Sequence, residues 1–210
     1  MKKMIIFDLD GTLLNTLEDL KETLNHTLKT FDLPLVTLEQ TNNFIGRGIK
    51  NLILRASNND SRIEDMYNEF MAYYDKNYKV HTKPYDGINE VIDELKTKYK
   101  LGVISNKNGR ISKLLIDYFF PNSFEFVIGD KMGFSKKPDP SSIFYIMNKY
   151  NLNKEDFIYI GDSEVDIKTI KEANINGIIV SYGFRKKELL QTMWDNTIVD
   201  KPIDILKHIN

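Results

Sequence analysis

The stretch Met4-Ile5-Ile6-Phe7-Asp8-Leu9-Asp10-Gly11-Thr12-Leu13-Leu14, close to the N-terminus, decides the fold. Its first four residues form a short apolar run of the kind found in buried strands. Residues two apart along a strand point the same way, so Asp8 and Asp10 are expected to project together from the strand's C-terminal end. Gly11 allows a sharp turn out of the sheet. Because ligands bind beyond the carboxyl ends of strands in open α/β sheets, the two aspartates mark a candidate site.

The composition is that of an ordinary globular protein. The chain has 210 residues, of which 41% are hydrophobic and 28% charged, and its net charge is −1. This charge gives no global basic field for nucleic acid or for an anionic membrane surface. Cysteine is absent, which excludes disulfides and thiolate metal sites. We find neither a signal peptide nor a membrane-spanning run, so we expect a soluble cytoplasmic protein, a monomer or weak dimer.

Residues 15–81 read as a helical block without strands. Leucines recur three and four residues apart in a helix predicted over Thr16–Phe31. Shorter helices are predicted over Leu38–Phe44 and Ile49–Ala56, and Ser61 is a candidate N-cap for a long helix that ends near Tyr78. The aromatic residues of that long helix indicate packing between helices.

From residue 82 onward, strand patterns alternate with helix patterns. Strands are predicted over Leu101–Ser105, Phe124–Ile128, Phe157–Ile160 and Gly177–Val180, and helices over Ile88–Tyr99, Arg110–Tyr118, Ser141–Tyr150 and Ser163–Ala173. Such alternation favours a parallel sheet with right-handed crossovers. We therefore predict an α/β fold, with a Rossmann-like core of residues 1–14 and 82–210 and an inserted α-helical cap of residues 15–81.

Three further stretches carry polar groups at predicted strand ends or turns. Ser105 ends a strand and could donate a hydrogen bond to a phosphate oxygen, with the Asn106 backbone N–H beside it. Lys137 precedes Pro-Asp-Pro, and its ammonium suits a phosphoryl group as a point charge. Asp162 and Asp166 lie in Gly-Asp-Ser-Glu-Val-Asp after a strand. Each stretch alone also fits a simpler role: a strand-end turn, an exposed basic turn or a helix cap.

Together, in this order, the four stretches resemble the signature of the haloacid dehalogenase superfamily: D-x-D-G-T, a strand-end hydroxyl, lysine before Pro-x-Pro, and G-D-x-x-x-D. The resemblance extends to the phosphoglycolate phosphatase-like members. Phe44–Ile53 is similar to their cap loop, Thr82–Gly87 to their return into the core, and Tyr182–Arg185 to the stretch after their last strand. It implies an enzyme that hydrolyses a small phosphate monoester.

The resemblance also implies roles for individual residues. Asp8 would be the nucleophile and Asp10 the general acid and base, while Ser105, Asn106 and Lys137 would bind the phosphoryl group. Asp8, Asp162 and the Asp10 main-chain carbonyl would hold Mg²⁺, and Asp166 a metal-bound water. Physical reasoning agrees, since clustered carboxylates repel without a cation and oxygen ligands suit a hard metal.

Other functions stay open at this point. Dehalogenases of the superfamily lack the second aspartate, so Asp10 argues against them. Sugar phosphomutases usually carry a histidine early in the first cap helix, where this chain has Thr16–Leu20, and His26 comes later. An inorganic pyrophosphatase, a nucleotide phosphatase or a non-catalytic binding protein of the same fold is also possible. In the cap, Arg47 between two glycines is either a substrate contact or a solvated arginine.

Overall fold

The computed structural model describes residues 3–209, which form two compact units. One unit contains the chain up to Leu14 and from Pro84 onward, and the other spans Asn15–Lys83. Strands and helices alternate in the first unit, whereas the second is helical. No helix within residues 3–209 combines the length and the apolar character needed to cross a membrane.

The strands of the first unit build a parallel sheet. The strands of the chain are β1 (Met4–Phe7), β2 (Leu14–Asn15), β3 (Lys83–Pro84), β4 (Lys100–Asn108), β5 (Phe126–Asp130), β6 (Phe157–Gly161), β7 (Asn176–Val180) and β8 (Ile198–Val199). Six of them form one sheet in the order β5-β4-β1-β6-β7-β8, and the pairs along it are parallel. The predicted α/β fold class is confirmed.

The helices divide between the units. They are α1 (Leu17–Thr30), α2 (Leu38–Phe44), α3 (Ile49–Ala56), α4 (Ile63–Asn77), α5 (Ile88–Leu95), α6 (Gly109–Phe119), α7 (Ser141–Tyr150), α8 (Glu164–Ala173) and α9 (Lys187–Gln191). Short 3₁₀ turns cover Lys154–Asp156 and Pro202–His208. The first four helices belong to the helical unit, and the others follow strands of the sheet unit or lead into them.

The centre of the sheet is buried on both faces. Every residue of β1 is fully buried, as expected for a strand with neighbours on both sides and helices above and below. Phe7 is aligned with Val103 of β4 and with Ile160 of β6. This register brings the C-terminal ends of three strands to one edge of the sheet, and the residues that follow these strands meet there.

Two predicted helix boundaries differ from the structure. Ser61 does not cap α4, whose N-cap residue is Arg62, so that prediction was wrong. The carboxylate of Asp60 accepts the Arg62 backbone N–H (2.8 Å), and the turn delays the helix by one residue. Helix α5 ends at Leu95 and not at Tyr99, because the chain turns there before entering β4.

The helical unit has its own internal anchor at Asp19, which is almost completely buried in α1. One carboxylate oxygen accepts the His81 N–H (2.8 Å), and the other accepts the N–H (2.9 Å) and the hydroxyl (2.7 Å) of Thr82. Hydrogen bonds to a carboxylate are among the stronger neutral–charged contacts in proteins. Asp19 therefore ties the end of the helical unit to its first helix.

Candidate active site

The predicted nucleophile Asp8 and the predicted metal ligand Asp162 lie where neighbouring strands of the sheet end. Asp8 directly follows β1, and its backbone N–H donates to the Ile160 carbonyl of β6 (2.8 Å), which extends the ladder by one residue. Asp162 follows β6 directly, and Ser105 lies towards the end of β4 on the other side of β1. All three side chains belong to the sheet unit and are buried. The parallel topology thus places them at one edge.

Lys137 connects this edge to the loop before α7. Its ammonium lies 2.8 Å from Asp8 Oδ1, 2.7 Å from Asp166 Oδ1 and 2.9 Å from the Tyr159 hydroxyl. The contacts with Asp166 and Tyr159 are hydrogen bonds, and the contact with Asp8 is an ion pair. Burial disfavours the charge, but Asp166 and Asp8 outweigh it and raise the pKa of Lys137 well above its usual value. Lys137 is therefore a fixed cation beside Asp8.

The backbone of Lys137 is also held in place. The Asn106 side chain accepts its N–H (2.8 Å) and donates to its carbonyl oxygen (3.0 Å). This reciprocal pair joins the loop to β4 across 31 positions of sequence. Asn106 was predicted to contact phosphate through its backbone, whereas its side chain serves to place the lysine.

Asp166 is enclosed by donors. Oδ1 accepts from Lys137 and from the Tyr159 hydroxyl (3.1 Å), and Oδ2 accepts from the Asp162 N–H (3.2 Å) and from the N–H (3.1 Å) and hydroxyl (2.6 Å) of Ser163. The residue is completely buried. Ser163 and Asp166 also form a capping box at the start of α8. Asp166 therefore organises the loop after β6 and orients Lys137.

Three buried carboxylates meet at this edge. Side-chain oxygens of Asp8, Asp162 and Asp166 lie within 4.8 Å of one another. Burial, and then repulsion from Asp166 and Asp8, raise the pKa of Asp162 well above its usual value. For Asp8, burial raises the pKa to about 7, although Lys137 opposes the shift. A divalent cation would remove this penalty, and the all-oxygen donor set fits Mg²⁺.

Two glycines let the surrounding loops approach Asp162. Gly11 has a φ of +88°, and a Cβ built there would lie 2.2 Å from Asp162 Oδ2. A Cβ on Gly183 would lie 2.3 Å from the Gly11 carbonyl oxygen and 2.5 Å from Asp162 Cβ. The Phe184 N–H next to it donates to Asp162 Oδ2 (2.7 Å). The turn after β1 and the loop after β7 therefore hold the Asp162 carboxylate between them.

Asp10 has a partner that the sequence analysis missed. The ammonium of Lys107 lies 3.0 Å and 3.3 Å from its two carboxylate oxygens. Lys107 belongs to β4, which is longer than predicted because it continues to Asn108. Residues two apart in a strand share a face, and the rule that paired Asp8 with Asp10 would have placed Lys107 beside Ser105. That alternation was the available signal.

The other predicted phosphate-binding group is Ser105. Its hydroxyl accepts the Lys107 backbone N–H (3.2 Å), and a hydroxyl that accepts such a bond can still donate one. The residue is 6% exposed and lies three residues before the end of β4, which was predicted to end at Ser105. Its predicted contact with a phosphate oxygen is compatible with this position and stays a prediction.

The remaining predicted residues lie in the helical unit. Arg47 is exposed in the loop between α2 and α3, flanked by Gly46 and Gly48, which both have positive φ. His26 lies 2.9 Å from a Glu69 oxygen and its ring stacks on Tyr73 at 3.9 Å between centroids. The His26 ring therefore packs on α4 at the surface of this unit, with its side chain 39% exposed, and the predicted substrate contact of Arg47 stays a prediction.

Comparison with known proteins identifies the family. The family model described as haloacid dehalogenase-like hydrolase matches residues 5–180. A phosphoglycolate phosphatase from Colwellia psychrerythraea is 32% identical over 198 residues, which are 89% of this chain and 88% of that protein. One from Aquifex aeolicus is 29% identical over 207 residues, 98% of this chain and 95% of that protein.

Solved structures agree with the sequence relatives. A crystal structure from Lactobacillus delbrueckii subsp. bulgaricus superimposes with a TM-score of 0.92 at 30% identity and covers 100% of this chain and 99% of its own. A haloacid dehalogenase-like family hydrolase from Streptococcus pneumoniae reaches 0.91 at 20% identity, with 100% and 99% covered, and shows the same fold. The resemblance found in the sequence is confirmed: the chain belongs to the haloacid dehalogenase-like hydrolases and is an enzyme of their phosphatase type.

Proposed function

We propose that this enzyme hydrolyses a small, phosphoglycolate-like phosphate monoester through an aspartyl-phosphate on Asp8. The observation that carries the proposal is the buried Asp8 carboxylate with the Lys137 ammonium 2.8 Å from Oδ1. Lys137 is in turn fixed by Asp166 and Tyr159, so it presents a constant charge to the nucleophile. The similarity to proteins named phosphoglycolate phosphatase supports the choice of substrate class.

The proposed reaction has two steps. In the first, a carboxylate oxygen of Asp8 attacks phosphorus, the bond from phosphorus to the ester oxygen breaks, and Asp10 gives its proton to the leaving alcohol. In the second, Asp10 takes a proton from a water molecule whose oxygen attacks phosphorus. The acyl phosphate bond then breaks, which releases inorganic phosphate and regenerates the Asp8 carboxylate.

Other residues at this edge of the sheet would bind the phosphoryl group and the metal ion. Lys137 would balance charge at Asp8, and the Ser105 hydroxyl would donate to a phosphoryl oxygen. Asp8, Asp162 and the Asp10 main-chain carbonyl would hold Mg²⁺, with Asp166 orienting a water on it. When bound, the ion supplies positive charge against the carboxylates and the phosphoryl oxygens.

The test is phosphate release across a panel of substrates. The panel contains 2-phosphoglycolate, sugar phosphates, nucleotides and pyrophosphate, each with and without Mg²⁺. We expect a small phosphate monoester to be the best substrate and Mg²⁺ to be required. Preference for pyrophosphate, or interconversion of sugar phosphates without phosphate release, would favour the alternatives of the same fold.

Replacing Asp8 by asparagine tests whether Asp8 is the nucleophile. Asp8→Asn is expected to remove turnover and the phosphoenzyme seen by intact mass after acid quenching, because an amide cannot attack as a carboxylate does. Asp117→Asn is the matched control, since Asp117 is a surface residue paired with Lys113. Phosphoenzyme on another residue, or near-normal turnover of Asp8→Asn, would contradict the proposal.

A further inference from the structure

A second buried ammonium, that of Lys107, stands at the site without a role in the reaction as described. Its side chain is 2% exposed, and the 15% exposed carboxylate of Asp10 faces it with both oxygens. Lysine is almost never so fully buried unless it is paired. The structure therefore keeps a buried charged group at this edge of the sheet in contact with the predicted acid and base.

The backbone that carries this lysine is tightly constrained. The Lys107 N–H donates to Ser105 Oγ (3.2 Å), within the same strand end. On the neighbouring strand, a Cβ built on Gly129 would lie 2.7 Å from the Lys107 carbonyl oxygen and 2.5 Å from Gly109 Cα. The ends of β4 and β5 thus approach as closely as glycine allows. An ammonium on such a backbone has little freedom to leave Asp10.

The two buried lysines serve different aspartates. The ammonium of Lys137 forms hydrogen bonds with Asp166 and Tyr159 and an ion pair with Asp8, the proposed nucleophile. Lys107 faces Asp10 instead. Asp8 and Asp10 do different chemistry, since one bonds to phosphorus and the other moves protons. Each aspartate of the D-x-D pair therefore has its own fixed cation.

We propose that Lys107 is a positioning residue that holds the Asp10 carboxylate at the leaving-group oxygen. The proposal rests on the phosphatase function above and adds a residue to it. Because the Lys107 side chain is 2% exposed and its ammonium contacts Asp10, Lys107 acts through Asp10 and not on the substrate directly. Removing it leaves the phosphoryl-binding groups and the nucleophile in place but lets the acid–base carboxylate turn away.

Leaving groups of different acidity separate this role from a merely structural one. An alkyl alcohol must receive a proton as it leaves, whereas p-nitrophenolate leaves readily without one. A positioned acid or base contributes about 10²–10⁴-fold. In Lys107→Met we therefore expect kcat/KM for an alkyl phosphate to fall by about 10- to 100-fold, part of that contribution. For p-nitrophenyl phosphate, kcat/KM should change little.

The second step gives an independent readout. Asp10 also activates water against the phosphoenzyme, so Lys107→Met should release a burst of p-nitrophenol and then turn over slowly. Phosphoenzyme should accumulate and be visible by intact mass after acid quenching. Lys113→Met, which removes an exposed lysine on α6, is the matched control and should behave as wild type.

The outcomes decide the proposal. An equal loss on both esters without accumulated phosphoenzyme, or no loss on either, would overturn it. A wild-type enzyme that hydrolyses neither ester would overturn the proposed function and this inference with it. If Lys107→Met unfolds at the assay temperature, Lys107→Gln is compared in the same way, because its amide also removes the charge, and the same outcomes apply.

Discussion

The replacement of Asp166 by asparagine tests how the site is held together. The side chain is completely buried and accepts hydrogen bonds on both oxygens, from Lys137 and Tyr159 on one side and from Asp162 and Ser163 on the other. Asparagine has nearly the same shape but replaces one acceptor oxygen by an NH₂ donor. One set of donors must therefore lose its acceptor, whichever way the amide is turned.

The loss in free energy of unfolding depends on which hydrogen-bond donors lose their acceptor. If the NH₂ faces the loop, the N–H groups of Asp162 and Ser163 are left unsatisfied, at about 1–3 kcal/mol each. If it faces Lys137, a buried ammonium loses one of two carboxylates, and breaking a buried pair costs about 3–5 kcal/mol when no partner remains. Asp8 still pairs with Lys137, and loss of the Asp166 charge relieves its repulsion of Asp8 and Asp162, so both effects lower that figure. Both orientations give a loss of about 3 kcal/mol.

The assay is urea unfolding followed by tryptophan fluorescence, with chelator present in every sample. The chain's single tryptophan, Trp194, is buried in the sheet unit, so its signal reports on the unit that contains Asp166. With a slope of about 2 kcal/mol per M, the expected loss lowers the midpoint by about 1.5 M. Asp117→Asn, the same change at an exposed ion pair, should stay within about 0.5 kcal/mol.

A loss below about 1 kcal/mol for Asp166→Asn would refute the reasoning, because an unsatisfied buried donor alone is expected to cost that much. A loss equal to that of Asp117→Asn would have the same meaning. In either case the enclosed geometry of Asp166 would not be the arrangement that stabilises the loop after β6.

Further perturbations test the metal, the packing and the helical unit. Chelator should abolish turnover and Mg²⁺ restore it, and Asp162→Ala should need much more Mg²⁺; full activity in excess chelator would contradict the metal assignment. Gly11→Ala should lower the free energy of unfolding by more than about 1–2 kcal/mol, the usual cost of a side chain in the left-handed region, because the new Cβ would also clash with Asp162. An unchanged midpoint of urea unfolding would contradict this. Asp19→Ala should lower the melting temperature by leaving buried backbone donors unpaired, whereas an unchanged melting curve would remove Asp19 as an anchor. Arg47→Ala should weaken turnover of carboxylate-bearing esters more than of p-nitrophenyl phosphate, and equal effects would place specificity elsewhere.

Local patterns were sufficient for the fold class. Three such patterns involve only residues that are close in the sequence: the apolar run of β1, the alternation of strands and helices after residue 84, and the leucine spacing of α1. For the same reason, the positions of Asp8 and Asp162 directly after strands could be recognised from the amino-acid sequence alone, whereas the strand that carries Ser105 continues three residues further than predicted. The first residue of α4 could not be predicted in this way, because it depends on a single side chain: the Asp60 carboxylate accepts the Arg62 backbone N–H and forms a turn before the helix.

Only the tertiary structure decided which charges face each other. Lys107 meets Asp10 across 97 positions of sequence, and Lys137 meets Asp166 across 29. Sequence periodicity does not predict contacts between residues so far apart in the chain, because these contacts depend on the order of strands in the sheet and on glycines that let loops approach. Burial then strengthens these pairs, because the surroundings have a low dielectric constant. Lys137, which the sequence suggests could lie in an exposed basic turn, is thus the buried partner of the Asp8 and Asp166 carboxylates. The sequence thus determined which chemical groups the site contains, and packing determined which of them act on one another.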